Sequence, residues 1–411
     1  MTRYNTSILL LLILFAASSG IKDLSGKVFF SGGSQSLFYY REDLPGRGDQ
    51  GSVYNFRFYE SVRMKLVGRG EKNSLGFYTF FRTSKDLNID YSEDPLNRLY
   101  NGYLEWISGP VSAAVGRQWL HLGVGSLTLD GVKVRYTNPR YVDVTGYLGT
   151  ESPYTRHFNL TGWERAKAGG LFLSTKALRP LKLGLGFHQK DRNGRVALRE
   201  IGVNGRAELP HGLRLSGRLD VNLLTDRVQK GIFRLRYHQL EKWKFLAEYK
   251  HYQPRLFYQS YFRRFDPKAN DQLRTGVSYY LKPGVSITGT IAAIFFEDEK
   301  TGYLSLGVAC PYGSATFYRG DGFGGDEFGF AAGATCPIRE KFELFADFDY
   351  SRYRYYEDEE RDYLFSSIFG LNWRPKRNIL AGIELHDLNN NVLSKDWRLL
   401  VKFSVNHSRV F

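Results

Sequence analysis

Apolar and polar residues alternate along most of this chain with a period of two. Between Leu213 and Leu223 the odd positions are apolar or glycine, and the even positions are Arg214, Ser216, Arg218, Asp220 and Asn222. Residues 54 to 66 repeat the pattern except at Glu60, which predicts a β-bulge or a strand end turned towards the lumen there. Such alternation predicts β-strands with one apolar face and one polar face.

Two kinds of connection alternate between the predicted strands. One kind is short and rich in Pro, Gly and basic residues, as at Gly109-Pro110 and Lys282-Pro283-Gly284. The other kind is longer and often acidic, as at residues 151 to 161 and 253 to 271. Proline fixes one backbone torsion and cannot donate to a strand ladder, so the first kind predicts tight turns. Short turns that alternate with long loops are typical of transmembrane β-barrels.

The predicted fold class is therefore all-β, a transmembrane antiparallel β-barrel of about 22 strands with no plug domain. Weak segments near 111–119 and 141–149 leave lower even counts open, down to about 16 strands. Arg3, the apolar run 8–15 and the small residues that end at Gly20 predict a signal peptide over 1–20. The barrel is then expected to occupy residues 21–411, with both of its ends on the side of the short turns.

The last predicted strand has one apolar face from Trp397 to Val405 and ends on an aromatic residue. Phe403, Val405 and Phe411 share the apolar register. This ending resembles the assembly signal of bacterial outer-membrane β-barrels. The resemblance implies insertion by the barrel-assembly machinery into a membrane of lipid and lipopolysaccharide, as a multi-pass barrel of the bacterial outer membrane.

Composition agrees with a barrel better than with a secreted soluble domain. Aromatic residues make up 16% of the chain, with 28 Tyr and 30 Phe, and there are only 2 Cys. Small secreted domains depend on disulfides, whereas outer-membrane barrels need aromatic girdles at both membrane interfaces. The formal net charge of +15 does not by itself indicate nucleic acid as a partner.

The polar faces of the predicted strands carry an excess of basic residues. A basic wall of the lumen would select anions or an acidic partner surface, although any lumen also needs hydrated charge. Four acidic residues, Glu343, Asp347, Asp349 and Glu384, form a smaller acidic sector. The predicted basic wall consists of Arg57, Arg63, Lys65, Lys133, Arg135, Arg214, Arg218, Arg234, Arg236, Lys244, Lys250, Arg398 and Lys402.

The two cysteines and the eight histidines give little support for catalysis or metal binding. Cys310 and Cys336 each precede a proline, and both a disulfide and two unpaired thiols remain open. The chain contains no His-Glu-x-x-His, no Gly-x-Ser-x-Gly and no phosphate-binding loop. Acidic loops near 321–327 and 357–360 are expected to be solvated hairpin tips rather than calcium sites. We therefore predict no enzymatic activity, no catalytic residues and no metal site.

Two resemblances bear on function. The run Val115-Gly116-Arg117-Gln118-Trp119, followed by Leu129-Asp130-Gly131, resembles a paired-strand pattern of porins and alginate-export-type barrels. By architecture, the whole chain also resembles the barrels of porin–cytochrome conduits, which surround a multihaem c-type cytochrome and carry electrons across the outer membrane. No Cys-x-x-Cys-His occurs, so this chain would bind no cofactor itself and any haem would belong to a periplasmic or extracellular partner.

A wide barrel without a plug either conducts solutes or is filled by another protein. No predicted external loop exceeds about 20 residues, so we expect little of the chain itself to fill the lumen. The first expectation is a sheath for a periplasmic partner such as a multihaem cytochrome, in electron transport. The second is a passive diffusion porin for anionic or small hydrophilic solutes, in ion transport. Export of an acidic polymer is a third, less favoured expectation.

Overall fold

The computed structural model describes residues 27–43, 53–88, 96–138, 140–175, 180–256, 268–297, 299–322, 325–354, 360–390 and 396–411. In these ranges the fold is all-β, and no helix is long and apolar enough to cross a membrane. The predicted signal peptide and most of the acidic run 357–360 lie outside the described residues, as do residues 323 and 324 of the other acidic loop.

The structure confirms the predicted count of 22 strands, including those expected from the two weak segments. The strands are β1 (Val28–Asp43), β2 (Val53–Arg69), β3 (Asn73–Asp86), β4 (Asn97–Ser108), β5 (Val111–His121), β6 (Ser126–Thr137), β7 (Val142–Glu151), β8 (Ala166–Thr175), β9 (Leu181–Arg192), β10 (Arg195–Leu209), β11 (Leu213–Asn222), β12 (Arg227–Tyr237), β13 (Trp243–Tyr252), β14 (Asn270–Lys282), β15 (Val285–Phe296), β16 (Glu299–Cys310), β17 (Gly313–Gly322), β18 (Asp326–Arg339), β19 (Phe342–Arg354), β20 (Asp362–Lys376), β21 (Ile379–Asn390) and β22 (Asp396–Val410).

Each strand pairs antiparallel with the next along the chain, and β22 pairs with β1. This last pairing closes the sheet into a barrel, so no strand edge is left without hydrogen-bond partners. At the seam the backbone of Phe411 exchanges two hydrogen bonds with Val28, of 2.8 and 3.1 Å. Phe403 and Phe411 are exposed on the outer surface, 46% and 65% respectively.

The alternation along each strand separates an apolar outer face from a polar inner face. On β16 the outward residues Leu304, Leu306 and Val308 are 54%, 57% and 45% exposed. Comparable aliphatic and aromatic side chains cover the outer face of the other strands. A closed barrel satisfies every backbone hydrogen bond internally, which a lipid environment requires.

The strand register runs through Glu60 without a bulge, contrary to the expectation from sequence. Glu60 pairs with Ser36 on β1 and with Thr83 on β3, and neither ladder shifts there. The carboxylate of Glu60 accepts hydrogen bonds of 2.5 Å from the hydroxyl groups of Ser34 and Ser36. These two hydroxyl donors explain how a carboxylate is accommodated on the outer face without a change of register.

The disulfide considered between the two cysteines is not formed. Cys310 and Cys336 are both exposed free thiols. They lie on β16 and β18, with β17 between them. Two strand spacings amount to roughly 10 Å, which exceeds the distance that a disulfide can bridge.

Candidate functional site

The external ends of β5 and β6 leave the barrel wall and lie inside the lumen. Val124, in the connection between these strands, is 3% exposed. Its Cγ2 lies 2.6 Å from the position that a Cβ would take at Gly186 or Gly202. These glycines belong to the inner face, because Phe187 and Val203 next to them point outward. We call residues 116–131 the inward hairpin.

One face of the inward hairpin packs on the inner wall. Leu120, Leu127 and Leu129 form a buried cluster with Tyr147 of β7 and Ala168 of β8. The opposite face carries Trp119, which is 57% exposed. The hairpin therefore covers part of the wall with an apolar face and presents its other face to the open part of the lumen.

Glycines allow the sharp bend at the base of the inward hairpin. Gly116 has a φ of 124°, and a Cβ there would lie 2.3 Å from the carbonyl oxygen of Gly102. A Cβ at Gly131 would lie 2.6 Å from the Cα of Gly149. Only glycine tolerates such backbone approach, so these positions permit the strands to turn away from the wall.

Substitutions at the docking position of Val124 are expected to dislodge the hairpin. In Gly186→Val the new side chain overlaps Val124, and the three atoms nearest to a Cβ there all belong to the hairpin, so we expect a higher single-channel conductance than in the wild type. Adding Val124→Ala removes the overlapping methyl groups and is expected to restore part of the wild-type conductance. Planar-bilayer recordings of the wild type and of the single and double variants test this prediction. Equal conductance in all three proteins would show that Val124 does not pack against this part of the wall.

A buried ion pair fixes the base of the inward hairpin. Arg117 contacts Asp130 through two hydrogen bonds, Nε to Oδ1 at 2.6 Å and Nη2 to Oδ2 at 2.8 Å. Both side chains are at most 3% exposed. The same guanidinium donates to the backbone carbonyls of Leu99, His157 and Asn159, at 3.2, 2.5 and 3.1 Å. Arg117 thus joins both hairpin strands to β4 and to the connection 152–165.

The thirteen residues of the predicted basic wall all lie on strand positions that face the lumen, and most have an acidic neighbour. Their role in selectivity stays a prediction. On β11 to β13, Asp220 contacts Arg218 and Glu248 contacts two cations, while Arg214 and Arg236 lie directly opposite each other across the ladder. The ion pairs are Arg57 with Asp86, Lys133 with Glu105, Arg135 with Asp143, Arg214 with Glu208, Arg218 with Asp220, Arg234 and Lys250 with Glu248, Arg398 with Asp396, and Lys402 with Glu384.

The tip of the inward hairpin meets a cluster of buried charges that the sequence did not single out. Glu200 is 0% exposed, and its Oε1 lies 2.8 Å from Nε of Arg255 in the connection after β13. A Cβ on Gly125 of the tip would lie 3.3 Å from the same guanidinium. A cavity of about 150 Å³ beside the tip is lined by His121, Ser126, Arg218, Lys230 and Arg255, among others.

Sequence reasoning found some residues of this site and missed others. The pattern around Arg117 and Asp130 marked the hairpin base, but alternation alone does not distinguish a strand in the wall from one bent into the lumen. Glu200 and Arg255 were missed because they meet only through the fold. Among the described residues, no group of three or more His, Cys, Asp or Glu could hold a metal ion.

The sequence predicted that little of the chain would fill the lumen, and the inward hairpin is the part that does enter it. That expectation rested on loop length, and the connection between β5 and β6 has only four residues, 122–125. The strands themselves bend inward, so the obstruction is built from strand ends rather than from a long loop. The lumen is therefore narrowed on the side of β7 to β11.

No protein-family model matches this sequence, and no curated protein matches it. Among solved structures, OccK9 (OpdG) of Pseudomonas aeruginosa is similar with a TM-score of 0.48 and 11% identity, over 93% of this chain and 98% of that chain. OccK3 (OpdO) of the same species is similar with a TM-score of 0.46 and 10% identity, over 95% of this chain and 99% of that chain. A BenF-like porin from Pseudomonas fluorescens Pf-5 is similar with a TM-score of 0.46 and 8% identity, over 93% of this chain and 99% of that chain.

The architecture of the chain itself supports the assignment. Twenty-two antiparallel strands close without an edge, and on the described residues their outer face is predominantly apolar. Only helices and closed barrels can span a bilayer, and closed antiparallel barrels of this kind belong to outer membranes. The chain is a multi-pass, antiparallel β-barrel of the bacterial outer-membrane type.

Proposed function

We propose that this barrel is a passive diffusion channel for small anionic or hydrophilic solutes. The observation that carries the proposal is the inward hairpin, which occupies part of the lumen. A large barrel needs such an internal element to limit the size of what passes. The charged side chains that line the remaining lumen would keep it hydrated and set its ion preference.

The inward hairpin also argues against the sheath for a cytochrome. A multihaem cytochrome inside the barrel would need the space that the hairpin occupies. Displacing the hairpin would expose its leucines and the buried pair of Arg117 with Asp130. The channel needs no such rearrangement, and it needs neither a haem nor a protein partner inside the lumen.

A liposome-swelling assay with the purified, full-length barrel tests the proposal. Neutral sugars and sugar acids of increasing size are compared, and the visible absorption of the same preparation is recorded. We expect a colourless protein that admits small solutes, favours the acid over the neutral sugar of equal size, and excludes large oligosaccharides. A co-purifying protein with a sharp haem absorption band, together with no swelling for any solute, would overturn the channel.

A further inference from the structure

A row of arginines and aromatic rings lies on the outer surface of the barrel, near the external ends of β17 to β20. Its members are direct partners across successive ladders, in the order Arg319, Phe328, Arg352 and Tyr363. Phe328 and Tyr363 are exposed on the outer face, at 40% and 38%. Residues directly opposite each other on neighbouring strands share one face of the sheet, so both arginines also point out of the barrel.

Arg361 joins this row from the connection between β19 and β20. Its guanidinium carbon lies 5.6 Å from the centroid of the Phe328 ring, within the range of a cation–π contact. Arg319 and Arg352 flank the same phenylalanine, one strand on either side, so their Cα atoms are roughly 10 Å apart. Three arginines thus border one exposed ring. We call Arg319, Arg352 and Arg361 the outer arginine cluster.

Asp326 is a carboxylate that contacts the outer arginine cluster. It lies 3.6 Å from Arg361 and 2.7 Å from Arg354. Arg319 and Arg352 are exposed, and within the described ranges neither of them forms an ion pair. A guanidinium without a carboxylate partner keeps its N–H donors available for an external anion.

Two further carboxylates lie near the cluster. Asp321 follows Arg319 by two residues on the outward face of β17, and Glu360 directly precedes Arg361. A Cβ on Gly302 of β16 would lie 2.9 Å from Oδ1 of Asp321, so this carboxylate leans over β16, on the side away from Phe328. In the described part of the chain, neither carboxylate forms an ion pair with the cluster.

A row of exposed rings lies directly below the cluster, towards the centre of the membrane. Phe317, Phe330 and Tyr350 are partners in register, two residues or about 7 Å further from the external ends. Phe317 and Tyr350 are 63% and 41% exposed, and the centroids of Phe317 and Phe330 are 4.8 Å apart. Cations above an apolar band match a lipid whose charged headgroup lies above its acyl chains.

The cluster is local to one side of the barrel. Other outward positions near the external ends carry carboxylates, as at Asp271 of β14 and Asp387 of β21. Asp271 accepts a hydrogen bond of 2.6 Å from Tyr249. A general preference of the membrane interface for basic residues would spread them around the barrel. The register instead places two arginines beside one ring, which indicates a site.

We propose that the outer arginine cluster binds the phosphate groups of lipid A, the membrane anchor of lipopolysaccharide, in the external leaflet. A guanidinium offers paired N–H donors that match the oxygens of a phosphate. The rings below the cluster contact the acyl chains next to those phosphates. The site lies on the outer surface, so it does not depend on what the lumen conducts.

The test is the binding of bisphosphorylated lipid A to the full-length barrel in detergent, measured by native mass spectrometry. Arg319→Gln combined with Arg352→Gln is expected to raise the apparent Kd about tenfold, because charge-assisted hydrogen bonds to phosphate are lost. Inorganic phosphate is added as a competitor in a second titration. We expect it to displace no lipid A at equal concentration, because it lacks the acyl chains that the rings contact.

The matched control removes two cations from the outer face elsewhere on the barrel. Lys85 of β3 lies opposite Phe58, and Arg199 of β10 donates to Oε1 of Gln189 at 3.0 Å. Both lie near the external ends of their strands. Lys85→Gln combined with Arg199→Gln lowers the net charge by the same two units, and we expect less than about a twofold change in Kd.

The outcomes separate a lipid site from general attraction. A loss of lipid A binding confined to the Arg319 and Arg352 variant would support the site. Equal loss in the control would overturn it, because net charge alone would then explain binding. Displacement of lipid A by equimolar inorganic phosphate, or no lipid A binding by the wild type, would overturn it as well. Unchanged heat-modifiable migration on gels shows that each variant has folded.

Discussion

Replacing residues 120–127 with an Asn-Gly turn is expected to raise the single-channel conductance severalfold and to admit larger solutes. Trp119 and Thr128 are directly paired, so a two-residue turn can join them without changing the register. The replacement removes the part of the inward hairpin that packs on β7 to β10. The barrel wall itself is untouched, because closure depends on the other strands and on the seam between β1 and β22.

The matched control shortens another external connection that stays out of the lumen. Residues 223–226 join β11 to β12, and Asn222 pairs with Arg227 across that turn. The same Asn-Gly replacement there should leave conductance and solute size limit close to the wild type. Conductance in planar bilayers and liposome swelling give the two readouts. If the shortened hairpin keeps the wild-type size limit, the hairpin is not the constriction.

Removing Asp130 is expected to free the inward hairpin by leaving a buried guanidinium without its counter-ion. In Asp130→Ala, Arg117 keeps its three carbonyl acceptors but loses both carboxylate contacts. Breaking a buried ion pair on one side costs about 3 to 5 kcal/mol. Because the pair joins the hairpin to β4 and the connection 152–165, its loss weakens the attachment of the hairpin rather than the closure of the barrel. We expect a raised, fluctuating conductance and faster proteolysis within 152–165.

Lys133→Gln provides the comparison for the buried pair. Lys133 lies 3.9 Å from Glu105, and both side chains are about one-fifth exposed, at 22% and 21%. A partly exposed pair at that distance contributes about 1 kcal/mol or less. A steady, wild-type-like current in Lys133→Gln and a noisy current in Asp130→Ala would support the role of the buried pair. A steady current in both would show that hairpin packing alone holds the constriction.

The strands could be predicted because the cause of their pattern is local. Each residue of a barrel strand faces either lipid or lumen, so the alternation seen from Leu213 to Leu223 appears directly in the sequence. The weaker segments that became β5 and β7 alternate less clearly. Part of β5 lies in the inward hairpin, where both faces contact protein or lumen and neither contacts lipid. The prediction at Glu60 was wrong because the hydroxyl groups of two serines on another strand donate hydrogen bonds to its carboxylate.

The site was predicted only in its separate residues. Arg117 and Asp130 were noticed as a pattern, and Arg63 and Lys65 were placed on the polar face, but their partners were not. Carboxylates such as Glu208 and Glu248 form ion pairs with much of the basic wall, whereas Arg63 and Lys65 lie over aromatic rings. Cross-strand neighbours depend on register, and a shift of one residue would exchange every pair.

By itself, the sequence determined that this protein is a closed antiparallel barrel with an apolar exterior, and it predicted about 22 strands with lower even counts open. Period-two alternation and turn chemistry act over a few residues, and they are sufficient for that result. Only the tertiary structure decided what the lumen contains. The bend of β5 and β6 needs glycines on four strands to coincide, and the stacking of Phe80 on Tyr100 needs β3 and β4 in register. These are contacts between segments far apart in the chain, so no local pattern encodes them.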